Sequence, residues 1–130
     1  MKKPLIVGNW KMNLLINEAA MLARGIADFV KTLSDLRVVL APSFTLLSEV
    51  RDALSNSDVS LACQNFYFEE NGAYTGEISA AMTKDAGCDF AILGHSERRH
   101  LFGETDDLIN KINRVCGRKR FKSYFMCRRN

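Results

Sequence analysis

Four short apolar runs alternate with segments of helical period along this 130-residue chain. The runs are Pro4–Gly8, Arg37–Ala41, Val59–Cys63 and Phe90–Leu93. They are continuous and rich in Val, Ile and Leu, as strands covered on both faces tend to be. Between the first two, Asn17 with Glu18 reads as a helix start. Leu22, Ile26, Phe29, Val30 and Leu33 then share one helical face. Ser43 is the expected cap of a second helix, with Leu46, Leu47, Val50 and Leu54 inward. Ala80 to Ala86 forms a third, stopped by Gly87. Thr105 caps a last one, with Asp106 and Asp107 favourable in its first turn and Leu108, Ile109, Ile112 and Val115 inward. Such alternation favours an α/β fold with a parallel sheet and right-handed crossovers. It is compatible with a flavodoxin-like sheet, half of a dinucleotide-binding sheet, or part of a (βα)8 barrel.

The fourth run ends at Gly94, and His95, Ser96, Glu97, Arg98 and Arg99 follow at once. Ligands of parallel α/β proteins bind beyond the carboxyl ends of the strands. His95 and Glu97 are therefore candidate site residues, whereas His100 is expected to be structural. A long polar and aromatic loop, Gln64 to Ser79, follows the third run. Loops of that length are usually functional or disordered. Phe66, Tyr67, Phe68 and Tyr74 argue for the former, because a floppy tip rarely carries four aromatics.

Charge is uneven. The formal net charge is +3, but residues 116–130 hold six basic residues and no acid, leaving 12 basic against 15 acidic residues in 1–115. Arg118 to Arg120, with Phe121, Tyr124 and Phe125 interleaved, could form an RNA-binding patch in which the rings stack on bases. The four cysteines, at 63, 88, 116 and 127, form no C-x-x-C pair, and no histidine lies at metal spacing from them. They read as buried free thiols of a reducing compartment, and no metal site is expected. No apolar run is long enough to cross a membrane.

Five motifs carry a resemblance. Gly8-Asn9-Trp10-Lys11-Met12-Asn13, Ala41-Pro42-Ser43, Cys63-Gln64-Asn65, Gly72 to Ser79, and Gly94 to Arg99 occur in one order and at one spacing. Through them, residues 1–115 resemble the N-terminal half of the triosephosphate isomerase family. The resemblance implies an incomplete (βα)8 barrel of about four βα units. It implies isomerisation of dihydroxyacetone phosphate and glyceraldehyde 3-phosphate by proton transfer through an enediolate, in glycolysis and gluconeogenesis. By the same resemblance, His95 is a neutral imidazole that polarises the substrate carbonyl, a property of the family. Lys11 binds phosphate and stabilises the enediolate oxygen, Asn9 positions the substrate, and Glu97 is a carboxylate supporting Lys11. Tyr74 and Thr75 belong to a loop that enters the partner subunit of a homodimer. No cofactor, metal, nucleic acid or membrane partner is implied, and the location is cytoplasmic.

A complete (βα)8 barrel takes about 250 residues. The general base of the family is a glutamate of the second half, which has no counterpart in these residues, so the chain alone is expected to be nearly inactive. The alternatives are a non-catalytic dimerisation fragment of the isomerase or an RNA-binding half-domain using the basic tail. Residues 116–130 are expected to lack a fifth hydrophobic strand, leaving the fourth with an apolar edge that invites association. One back-translation of residues 116–130, read one nucleotide later, gives Ala-Ala-Glu-Lys-Gly-Leu-Lys-Val-Ile-Leu-Cys-Val-Gly-Glu, a helix end followed by an apolar strand. The expectation is a frameshift near residue 115, with residues 1–115 as the half-barrel and 116–130 as a non-matching tail.

Overall fold

The computed structural model describes residues 3–126. Cys127, Arg128 and Arg129 of the basic tail lie outside them. The strands are β1 (Leu5–Asn9), β2 (Arg37–Ala41), β3 (Ser60–Cys63), β4 (Phe90–Leu93) and β5 (Ser123–Met126). They form one sheet in the order β1-β2-β3-β4-β5, every neighbouring pair parallel. The helices are α1 (Ile16–Val30), α2 (Leu47–Ala53), α3 (Ala80–Asp85), α4 (Ser96–Leu101) and α5 (Asp106–Arg118). The chain thus completes four βα units and adds a fifth strand.

That strand corrects an expectation. β4 is not left unpaired, because Phe90 to Leu93 run in register with Ser123 to Met126. Pairing uses main-chain groups, so a basic segment can supply it. Lys122 N–H donates to Asp89 O at 2.7 Å and leads the chain into register. Phe121 is no base-stacking ring either. It is half-buried and stacks on buried Phe66, centroids 5.4 Å apart.

The sheet has two apolar faces, as continuous strands require. Val39, Ala41, Ala62, Phe90 and Ile92 pack on one. Leu40, Leu61, Cys63, Ala91 and Leu93 meet the helices on the other. β1 departs from this pattern at the edge, where Ile6 is 54% exposed. The inward residues expected of α2 are buried, as are Ile109, Ile112 and Val115 of α5. α1 differs. Its buried face is Ala19, Ala20, Ala23, Ala27 and Val30, while Phe29 is 64% exposed and Leu22 is also exposed. Small side chains let this helix approach the sheet closely. Its start also differs: Leu15 is the capping position, and its N–H donates to Glu18 Oε1 at 3.2 Å. Thr105 caps α5 as expected, accepting from Leu108 N–H. Cys63, Cys88 and Cys116 are buried free thiols. No helix among the described residues is long and apolar enough to cross a membrane.

Candidate active site

Asn9 is the last residue of β1, and two residues later the backbone turns left-handed at Lys11, with φ +55°. A side chain there is strained, and such strain persists only where surrounding contacts hold it. Three contacts do so. Lys11 N–H donates to Asn9 Oδ1 at 3.0 Å. Lys11 O accepts from Ser43 Oγ at 2.9 Å and from Gln64 Nε2 at 2.8 Å. Gln64 also donates to Ala41 O at 2.9 Å, which ties the ends of β2 and β3 to the loop after β1. Ser43 is therefore no helix cap. It precedes a 3-10 turn, Phe44–Leu46, and makes no capping hydrogen bond.

At the end of β4, Gly94 has φ +61°. A Cβ there would stand 3.2 Å from Ile109 Cδ1, so glycine both eases the left-handed turn and lets α5 close on it without displacing Ile109. His95 follows as the capping residue of α4, and its Nδ1 accepts from Glu97 N–H at 3.1 Å. In the neutral ring the proton then resides on Nε2. Glu97 Oε1 lies 2.7 Å from Lys11 Nζ. The hydrogen bond from Lys11 holds the Glu97 carboxyl below its usual range, with the Lys11 charge and His95 adding to the effect.

Asn9, Lys11, Gln64, His95, Glu97 and Arg98 all line one cavity of about 210 Å³. Larger hollows, of about 400 and 580 Å³, lie beside α5, and neither His95 nor Lys11 lines them. Every group in the smaller cavity comes from the carboxyl end of a strand or just beyond it, where parallel α/β sheets place ligands. Two cations, Lys11 and the Glu104-paired Arg98, with one imidazole and several amides suit a small anionic substrate with a carbonyl. Glu97 is the one carboxylate lining this cavity among the described residues, and it is committed to Lys11. No group of three or more His, Cys, Asp or Glu among the described residues forms a metal site.

Of the candidates, Asn9, Lys11, His95 and Glu97 come together. Tyr74 and Thr75 do not join them. They are exposed on the loop after β3, which is pinned by Tyr67 N–H donating to Ile78 O at 2.7 Å and by the Tyr67 ring, 4.8 Å from that of Tyr74. His100, expected to be structural, is an exposed residue of α4. Arg98 and Arg99 both pair with acids, Glu104 Oε1 at 2.8 Å and Asp106 Oδ1 at 2.6 Å. Sequence reasoning assigned no role to Gln64, the residue that ties three strand ends together. Its place in a quoted motif, directly after a strand, was the available signal.

The triosephosphate isomerase family model matches residues 4–127, twelve residues past the end of the resemblance drawn from the sequence motifs and on through β5. The chain is 49% identical over 113 residues to the triosephosphate isomerase of Geotalea uraniireducens, covering 87% of this chain and 45% of that protein. It is 51% identical over 111 residues to that of Alkaliphilus oremlandii, covering 85% and 44%. The chain thus spans a little under half the length of these curated relatives. The crystal structure of triosephosphate isomerase from Bartonella henselae superposes with a TM-score of 0.85 at 36% identity, over 93% of this chain and 50% of that one. The sheet and its helices accordingly form half of the barrel seen there. With the family model spanning nearly all of its length, the chain belongs to the triosephosphate isomerase family.

Proposed function

We propose that this chain carries the electrophilic half of a triose phosphate isomerase site, serving glycolysis and gluconeogenesis in the cytoplasm. The observation that carries the reading is the convergence of Asn9, Lys11, His95 and Glu97 on one cavity, with His95 Nδ1 already occupied by a main-chain donor. In this reading, His95 donates from Nε2 to the substrate carbonyl. Lys11 meets the phosphate and the oxygen on which negative charge develops as the enediolate forms. Asn9 orients the substrate, and Glu97 holds the Lys11 ammonium in place. Proton abstraction from carbon needs a further, unpaired base. Glu97 does not serve, because an acid held low by a lysine is a weak proton acceptor.

The test is to mix the purified chain with dihydroxyacetone phosphate and follow two signals by NMR. Substrate line broadening reports binding, and conversion in D2O reports chemistry. Binding that is lost in Lys11→Met, with no conversion, is the expected result. Turnover at the rate of a full-length enzyme, or no binding at all, would overturn the reading.

The exposure of Tyr74 and Thr75 on a pinned loop favours a homodimer in which this loop enters a second subunit, including use of the chain as a dimerisation fragment. Rigid loops lose little entropy on docking. Co-purification with a full-length relative, weakened by Tyr74→Ala, is the corresponding test.

A further inference from the structure

The charge left over from the site collects on α5. Lys111, Arg114 and Arg118 are all exposed and sit at spacing i, i+3 and i+7, hence on one helical face. They line an open groove of about 580 Å³ whose remaining walls are Phe68, Val115 and Gly117. No carboxylate lines it. Among the described residues, none of the three makes an ion pair. Glu70 feels the charge of Arg118, but its ion pair is to Lys119 Nζ, at 2.6 Å in the neighbouring hollow. Asp107 lies one turn before Lys111 at the helix start, outside the lining of the groove, and Asp106 meets Arg99.

Three exposed cations that form no ion pair among the described residues, beside an aromatic wall, define a ligand by its chemistry. At about 1.5 Å of rise per residue, the cations are separated by about 4.5 and 6 Å along the helix axis. Long side chains at that separation can follow successive phosphates of one strand, and since the bases of a duplex are already stacked on one another, an aromatic wall suits a single strand. The Lys111 ammonium sits 5.0 Å from the centre of the Phe68 ring. Its transfer to a phosphate would free that ring face for a base. Stacking of this kind tolerates any sequence, whereas an acidic peptide would make no use of the ring. The groove is also open, which suits a chain that passes through.

We propose that the α5 face formed by Lys111, Arg114, Arg118 and Phe68 binds single-stranded nucleic acid, independently of the triose phosphate cavity. This moves the binding surface from the tail, where Phe121 is occupied by the core, to a helix. It runs counter to the expectation of no nucleic-acid partner, and oligonucleotide binding decides between the two.

The test is fluorescence anisotropy of a fluorescein-labelled oligouridine titrated with the full chain between 25 and 200 mM NaCl. Three released counterions predict a log–log salt slope of about −2. The triple variant K111A/R114A/R118A should bind at least about tenfold more weakly and flatten the slope by about 2 units. The charge-keeping K111R/R114K/R118K should stay near the parent. If the alanine variant does not fold by circular dichroism, Phe68→Leu decides. It should weaken oligouridine about fivefold or more and leave inorganic polyphosphate unchanged. No binding at 25 mM NaCl, or binding indifferent to the triple variant, overturns the proposal. So does equal displacement by polyglutamate, which would mark the face as a site for acidic protein segments.

Discussion

Lys11 Nζ and Glu97 Oε1 are 2.7 Å apart, although 86 positions separate the two residues in the chain. One follows β1 and the other follows β4, so the pair spans the mouth of the sheet. Both side chains are about half exposed, 52% and 43%. Such a pair contributes little to overall stability. Its effect is local, in fixing where the ammonium points.

The pair makes the cavity sensitive to acid. Glu97 is held below its ordinary range by the Lys11 hydrogen bond. A carboxyl with a depressed folded pKa contributes its stabilisation above the unfolded value, about 4.3, and loses it as pH falls through the folded value. The contact should therefore persist unchanged from pH 7 to 5 and dissolve only below about pH 4. A carbon-13 titration of the Glu97 carboxyl checks this. Lys11→Met should raise its midpoint, and a midpoint unmoved by that substitution would remove the ion pair from the account.

Gln64 is the structural keystone of the loop after β1. Its side-chain N–H groups reach both Lys11 O and Ala41 O. Gln64→Ala removes two hydrogen bonds and leaves a left-handed lysine less well supported. The expected cost is about 1–3 kcal/mol, read as a lower urea midpoint at unchanged m-value. Amide exchange at Lys11 and Met12 should quicken, while that at β4 should not.

How much of this was legible depends on where large side chains lie. β2 and β4 were read at their observed limits because continuous aliphatic runs are buried on both faces. α2 and α5 were read correctly for the same reason: their large residues face inward. α1 inverts that logic. Hydrophobic periodicity points to Leu22 and Phe29, yet the buried face is mostly alanine, since close packing on a sheet rewards small volume as well as apolarity. β5 was missed because strand pairing is a main-chain property and its flanking sequence is basic. The site residues were legible as motifs. Gln64 and Ser43 stand in motifs too, but their part in holding the strained lysine was not legible, because uncharged loop residues announce no chemistry.

Gly94 lets α5 approach the turn that carries His95. Its φ of +61° disfavours any side chain, and an added Cβ would meet Ile109 Cδ1 at 3.2 Å and Cγ2 at 3.3 Å. Gly94→Ala combines left-handed strain of about 1–2 kcal/mol with contacts tight enough to displace Ile109. A total loss of about 2–4 kcal/mol is expected by thermal or urea unfolding, from the strain and from overpacking together. The double variant Gly94→Ala/Ile109→Val should recover the packing part. If it is no better than the single variant, the backbone alone accounts for the glycine.

The three buried thiols supply a chemical measure of how firmly α5 and β3 close over the core. Cys63, Cys88 and Cys116 share one cluster on the helix side of the sheet. The Cys88 thiol beside it, together with burial, pushes the Cys63 thiol well up. Burial raises Cys116 to about 12. At pH 8 an ordinary thiol is about one-quarter thiolate, whereas one titrating near 12 is ionised to about 1 part in 10⁴. Iodoacetamide should therefore leave Cys63 and Cys116 unmodified in the folded chain at pH 8 and label them rapidly in 6 M guanidinium. Stability should follow the same groups. A thiol whose folded pKa is raised contributes its full stabilisation below the unfolded value, near 8.5, and loses it as pH climbs toward the folded one. The unfolding midpoint should thus be flat across pH 6–8 and fall above pH 9, and Cys116→Ala should flatten that fall. Rapid labelling at pH 8 without denaturant would mean that α5 opens on the labelling timescale, and the core described above would have to be looser than its burial indicates.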